Sequence, residues 1–443
     1  MHGIFFWVLV LIGLRLIATL TLSGLNRAEV RRRRVAPPEA VLAVFGRDTY
    51  EKAVEYTLAK SKFGVWTDLF DAAFLVLLLA SGVLPRLYAW VNGWTWIGRW
   101  WSGTFPLRQG FGGQAGRAVW PGATFIILVI LACSLISLPF DAWEQFSLEA
   151  KFGFNRSTPG LWLADKLKGA LLGLVIGVPL LWLLLTLVSR AGGTWWIWAA
   201  ALLFTVQLVM LILYPRVILP LFNQLSPLPD GELRSRLVAL GERTGFRAGA
   251  IEVIDGSKRS AHSNAYFTGF GRFRRVVLFD TLIAQLSPAE LEAVLAHEIG
   301  HYRCGHIPQR IALSVVTLLV GFGVLAWLAA APGFVGSFGF PPGALAPAFL
   351  LFGLLSGVAT FWLTPLSAAW SRRHEFQADE FARKAMDAAA PMIGALRKLS
   401  EKNLSNPTPH PLFSAFYYSH PTTFEREQAL LTSERILRPA GPS

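Results

Sequence analysis

Gly169–Val188 reads GALLGLVIGVPLLWLLLTLV, 20 residues with no ionisable side chain. At 1.5 Å per residue, a helix of that length crosses the roughly 30 Å hydrocarbon core of a bilayer. Such a helix satisfies all its backbone polar groups internally, as lipid requires. Outward from it in both directions lie six more runs of the same character, and the full set is 4–24, 69–85, 119–140, 169–188, 195–214, 311–331 and 345–365. The pattern predicts seven membrane spans. Two are imperfect, because the first contains Arg15 and the second Asp71. Ionisable residues inside a span face a bundle interior or a wet cavity.

Composition agrees. Of 443 residues, 53% are hydrophobic and only 16% charged, with 17 Trp and 32 Phe. A soluble domain carries about 25% charged residues, so disorder, collagen-like repeats and a disulfide-stapled fold are excluded. The net charge of +13 would suggest nucleic acid in a soluble protein. Here the basic residues crowd into loops, where they suit an anionic membrane face, and no nucleic-acid partner is expected. The two cysteines, Cys133 and Cys304, are expected to stay unpaired.

Loop charge sets the orientation. Residues 26–65 hold nine Lys and Arg, including Arg31, Arg32, Arg33 and Arg34, against four in 86–118, one in 190–194 and none in 332–344. This places 26–65, 215–310 and the C-terminus in the cytoplasm and the N-terminus outside. The first run, with its positive charges after it, reads as an uncleaved anchor. Trp90, Trp94, Trp96, Trp100, Trp101, Trp195, Trp196 and Trp198 are expected at the headgroup level. The Gly- and Gln-rich stretch 108–117 is read as an insertion without chemistry.

Between spans five and six the texture changes. Leu233–Thr244 predicts an amphipathic helix, and Ala250–Ile254, Ala265–Phe270 and Arg275–Phe279 predict short strands, with a turn at Asp255-Gly256. Ser287-Pro288-Ala289-Glu290 is a helix start, with Ser as N-cap, Pro at the first position and Glu at the third. That helix leads into His297-Glu298-Ile299-Gly300-His301, an HExxH motif. Histidines four apart project from one helix face and can hold one Zn²⁺, while Glu298 can serve as general base toward a water at the metal. A third ligand is needed. His306 is not spaced as a ligand and is expected to be a polar residue at the membrane face. Ser371–Asp379 (SRRHEFQAD) offers Glu375 and Asp379 on one helix face. Glu375 is assigned to the metal, and Asp379 to holding a ligand histidine through its other ring nitrogen. His374 is expected to point elsewhere, and Glu380 to be surface charge.

HExxH with a downstream ExxxD, split by two spans in a seven-span chain, resembles the type I CAAX prenyl proteases, integral-membrane zinc endopeptidases of the gluzincin kind. Gly256–Phe270 (GSKRSAHSNAYFTGF), Arg275–Asp280 (RVVLFD), Phe152-Gly153-Phe154-Asn155, Ser419-His420-Pro421 and Glu425-Arg426 extend the similarity over nearly the whole chain. The resemblance implies a chamber enclosed by seven helices, with a small α+β zinc-protease domain sealing its cytoplasmic end. It implies that Asn264 and Arg426 contact substrate and that His420 stabilises the oxyanion. Thr268 and Thr422 depart from the family pattern, the one standing for an aromatic and the other for a second Pro; both bear on substrate fit.

The expected organisation is 1–214 (spans one to five), 215–310 (zinc-protease segment), 311–365 (spans six and seven) and 366–443 (third ligand and tail). The expected activity is zinc-dependent endoproteolysis, with one Zn²⁺ per chain, near the C-terminus of protein substrates, prenylated or otherwise lipidated. The host membrane would be the endoplasmic reticulum or a bacterial inner membrane. A quality-control metalloprotease without prenyl dependence keeps the same chemistry. A transporter or scaffold would have no chemical reason to keep His297, Glu298, His301 and Glu375 together.

Overall fold

A computed structural model describes residues 2–94, 114–246, 249–268 and 275–437. Within them, seven helical stretches are long and apolar enough to cross a bilayer: Gly3–Val35, Glu39–Ala80, Val119–Phe152, Pro159–Arg190, Gly192–Phe222, His306–Ala330 and Leu345–Met386. The number and order are those of the apolar runs, but the helices outrun them. Hydropathy marks the part of a helix that lipid touches, while backbone hydrogen bonding continues into water.

The membrane part comprises α1 (His2–Val35), α2 (Glu39–Ala80), α3 (Val83–Asn92), α4 (Gln114–Trp143), α5 (Pro159–Arg190) and α6 (Trp195–Leu213). The second span was expected at 69–85. Its helical stretch instead begins at Glu39, kinks at Gly46, whose φ of 66° and ψ of 165° are not helical, and stops at Ala80, ahead of Gly82, which takes a left-handed φ of 70° and starts α3. Leu135, Leu171 and Val175 are exposed where lipid would lie. The apolar window of the first span is 6% buried and that of the fifth 11%. Even so, Ile12, Leu79, Phe125, Leu184, Ala199, Phe322 and Leu351, one from each of the seven spans, share one buried cluster. Trp90 and Trp198 are exposed as membrane anchors should be, whereas Trp195 is buried against Phe322 and Phe349. Trp96, Trp100, Trp101 and residues 108–113 lie outside the described residues.

The segment after α6 is a small α+β unit with β1 (Leu225–Pro227), α7 (Glu232–Arg243), β2 (Ala250–Ile254), β3 (Ala265–Thr268), β4 (Arg275–Phe279), α8 (Asp280–Gln285) and α9 (Pro288–Arg303). Its sheet runs β1-β2-β4-β3, with β2 and β4 parallel and the other pairs antiparallel. Among the described residues β3 is therefore an edge. Leu237, Leu240, Leu278, Leu291, Leu295 and Ile299 close a core between sheet and helices.

Helix α10 (His306–Ala330) returns to the membrane and α11 (Leu345–Thr360) follows. A short 3-10 turn at Phe361–Leu363 joins α11 to α12 (Thr364–Met386), so the carrier of Glu375 is a prolongation of the seventh span. Helices α13 (Ala390–Lys402), α14 (Pro411–Tyr417) and α15 (Thr423–Leu437) complete the chain.

Specific polar contacts bind the two parts. His262 lies 3.2 Å from Glu149 and 3.2 Å from Asn403, stacked on Phe154, which gives the Phe152–Asn155 stretch a structural task. Val30, Val41 and Phe45 share one core with Phe152 and Leu404, and Asn26 accepts hydrogen bonds from Asn406 and His410. The basic α1–α2 region and the C-terminal helices therefore lie at the same end of the bundle.

Candidate active site

Helix α9 starts as its sequence dictates. Ser287 accepts from the Glu290 backbone N–H, and Glu290 accepts in return from Ser287, a reciprocal cap with Pro288 in the first turn. Leu291, Val294, Leu295 and Ile299 then face the core and aim His297, Glu298 and His301 away from it. The glycine of the motif has a packing role. A Cβ on Gly300 would stand 2.9 Å from the Ala378 Cα and 3.0 Å from its carbonyl oxygen. Only glycine lets α12 approach this closely, and that approach brings Glu375 to the histidines.

The three expected ligands converge. His297 Nε2 lies 3.2 Å from His301 Nε2 and 3.4 Å from Glu375 Oε2, and His301 Nε2 lies 3.3 Å from Glu375 Oε1. Tetrahedral zinc with ligand bonds of 2.0–2.1 Å has ligand-to-ligand edges of about 3.3 Å. The residues fit a metal by a second criterion. Glu375 is 1% exposed, and its Oε2 is buried without a hydrogen bond, although His420 Nδ1 stands 2.9 Å away. A carboxylate buried this deeply needs a charge partner, and a cation at the centre of the triangle would supply one.

Around the triangle, Asp379 Oδ1 accepts from His297 Nδ1 at 2.8 Å. Burial alone would push the His297 imidazole down, but the hydrogen bonds it donates to Asp379 and Glu375 outweigh it and raise its pKa to about 9. Burial raises the Glu298 carboxyl above the ordinary glutamate range. Among the described residues no hydrogen bond or ion pair engages that carboxylate.

Arg426 lies against Asp379 and Glu375. It is 8% exposed and forks onto Asp379, with Nε 2.7 Å from Oδ2 and Nη2 2.5 Å from Oδ1, while Nη1 reaches to 3.6 Å from Glu375. Burial works against its charge, and the Asp379 carboxylate more than restores it. A guanidinium so engaged holds the Asp379 carboxylate, and the same side chain lines the cavity beside His420. Thr422 caps α15: it accepts from the Glu425 N–H, and Glu425 accepts from the Thr422 N–H and hydroxyl. The T-x-x-E pattern was readable in the sequence and was missed.

His420 is 65% exposed at the open side of Glu375. Near it lies a cavity of about 600 Å³ lined in part by Tyr418, Ser419, Thr422 and Arg426. Asn264 is exposed at the head of β3, its Oδ1 held by the Ala265 N–H at 2.8 Å. The Thr268 side chain lies outside the described residues. His306 heads the sixth span but is not a surface residue there; it is 1% exposed, with Nδ1 2.9 Å from His301 Nδ1. His374 is buried beside it, and Glu380 pairs with Arg383. Nothing local in the sequence signalled the first of these.

Known proteins place this geometry. Residues 26–224 match the family described as CAAX prenyl protease N-terminal, five membrane helices, and residues 227–434 match Peptidase family M48. CAAX prenyl protease 1 of Saccharomyces cerevisiae is 34% identical, with 86% of each chain covered. The Homo sapiens CAAX prenyl protease 1 homolog is 32% identical, covering 91% of this chain and 92% of its own. The crystal structure of S. mikatae Ste24p superposes with a TM-score of 0.82 at 31% identity, over 96% of this chain and 98% of that one.

Proposed function

This chain belongs to the M48 peptidases, in the CAAX prenyl protease family, and on that premise we propose that it cleaves a peptide bond near the C-terminus of prenylated CAAX-type substrates, using one zinc ion held by His297, His301 and Glu375. It is a multi-pass membrane metallopeptidase. The observation that carries the finer reading is the ligand triangle itself, two imidazoles and a carboxylate within 4.8 Å of one another. That donor set suits zinc, and with only three protein ligands it keeps a coordination position open.

Zinc, when bound, supplies Lewis acidity, lowering the pKa of water towards about 7 and polarising a carbonyl. The rest is the work of side chains. Glu298 takes the proton of the attacking water and delivers it to the leaving amine, and its raised pKa suits both halves of that task. Asp379 accepts the Nδ1 proton of His297 and so keeps the Nε2 lone pair on the side of Glu375. Arg426 holds Asp379 in place. His420, exposed and close to Glu375, donates from its free ring nitrogen to the developing oxyanion. Among the described residues β3 has β4 as its only strand neighbour, so an extended substrate can pair along its open edge. Asn264 keeps its amide N–H groups for a substrate carbonyl there.

We place the site and the C-terminus on the cytoplasmic side and the N-terminus outside. The support is that the Arg-rich end of α1 packs at the same end of the bundle as the C-terminal helices.

The test is cleavage of a farnesylated CaaX peptide by purified protein, with Glu298→Ala as control. Wild type releases the C-terminal tripeptide, and the variant binds zinc but turns over about 10²–10⁴-fold more slowly. No cleavage by folded, zinc-loaded wild type would sink the substrate assignment and favour a quality-control protease. Equal rates in the variant would remove Glu298 from the mechanism.

A further inference from the structure

His306 follows Gly305, whose φ of 73° ends the α9 turn and lets α10 start in a new direction. The chain therefore folds back on itself, and the His306 ring lands on the far side of His301. Its Nδ1 lies 2.9 Å from His301 Nδ1 and its Nε2 lies 2.9 Å from Gln377 Oε1. Two ring nitrogens at hydrogen-bond distance need one proton between them, and which ring owns it is decided by the other ends of the chain.

A histidine that gives its Nε2 lone pair to a metal carries its proton on Nδ1. His301 Nδ1–H then donates to His306 Nδ1, the His306 proton sits on Nε2, and that N–H donates to Gln377 Oε1. Donors and acceptors alternate without a gap. Turning the Gln377 amide round breaks the pattern. An NH₂ facing His306 Nε2 forces the His306 proton onto Nδ1 and the His301 proton onto Nε2, which closes the lone pair a metal requires. We propose that His306 and Gln377 form a neutral relay that fixes the tautomer and ring orientation of His301, as Asp379 does for His297. Both are positioning residues.

The surroundings hold the relay still. The His374 ring stacks on His306 at 3.9 Å and 7°, Trp370 meets His374 edge-on at 4.4 Å, and His374 Nε2 donates to Gln309 Oε1 at 2.9 Å. Thus α12 supplies the third ligand, Glu375, and the outer acceptor for each of the other two, Gln377 and Asp379.

The inference rests on the assignment of His301 to the metal, and the experiment separates the two. Full-length wild type and the variants His301→Ala, His306→Phe, His306→Asn and Gln377→Leu are loaded with zinc, and metal release to a chelator is timed. The same proteins are loaded with Co²⁺ and their visible absorption recorded. His306→Phe keeps a ring against His374 but has no acceptor, and it should lose zinc about 10–100-fold faster, with a changed cobalt spectrum. His306→Asn restores an acceptor near the position of Nδ1 and should recover most of the loss. Gln377→Leu should move both readouts in the direction of His306→Phe, and it carries the test should that variant fail to fold. Wild-type release and spectrum in His306→Phe or Gln377→Leu would overturn the relay, as would an Asn variant as impaired as the Phe one. Retention of zinc by His301→Ala would overturn the ligand assignment and the relay with it.

Discussion

His297 and His301 stand one turn apart on the same helix, yet they are held by opposite means. The His297 side is charged and buried, with Asp379 on one ring nitrogen and Arg426 closed onto Asp379. The His301 side is neutral, an imidazole backed by an amide. Their anchors differ as well. Arg426 comes from the C-terminal α15, whereas His306 is the first residue of the sixth membrane span. Asp379 and Gln377 both lie on α12, while Arg426 ties the His297 side to α15 and His306 ties the His301 side to the start of the sixth span.

The comparison makes the two sides unequal in energy, and variants can sharpen it. Asp379→Ala leaves the Arg426 guanidinium buried without its partner, a change that costs about 3–5 kcal/mol of stability. It should lower the thermal midpoint and speed zinc release by more than the His306→Phe change does. If the His306 side proved the more damaging of the two, charge would not be what distinguishes them.

Acidity gives a gentler handle on the same asymmetry. His297 in the metal-free protein is raised to about 9, by hydrogen bonds that overcome its burial. Its protonated form therefore adds stability below the ordinary histidine pKa of about 6.5, and that contribution is lost as pH rises through about 9. Zinc must displace this proton, so zinc affinity should climb about tenfold per pH unit between those values and then level off. In Asp379→Asn the levelling should come at lower pH, a shift that chelator competition across pH would detect. An unchanged profile would show that Asp379 does not set the proton affinity of His297.

What the sequence revealed follows the range of the interactions. The HExxH helix was legible because its cap, its apolar face and its ligand spacing lie within Ser287–His301. Glu375 and Asp379 were legible as one helix face, and the seven spans as apolar runs. Strand β1 was not, since Leu225-Ser226-Pro227 is short and contains a proline tolerated only at an edge. The reach of α2 back to Glu39 escaped hydropathy because that half of the helix is polar. Arg426 was found by resemblance, but its burial on Asp379, 47 residues away in sequence, has no local sign. The His306–Gln377 contact spans 71 residues and depends on the reversal at Gly305. Partners of that kind become visible only when the helices are packed.

The most direct test of the central claim is the zinc content of purified wild type against His297→Ala, His301→Ala and Glu375→Ala, each shown to be folded. The account predicts one zinc per wild-type chain and close to none in each variant. Full zinc occupancy in Glu375→Ala would contradict it, because the third ligand, and with it the chemistry assigned to this site, would then lie elsewhere.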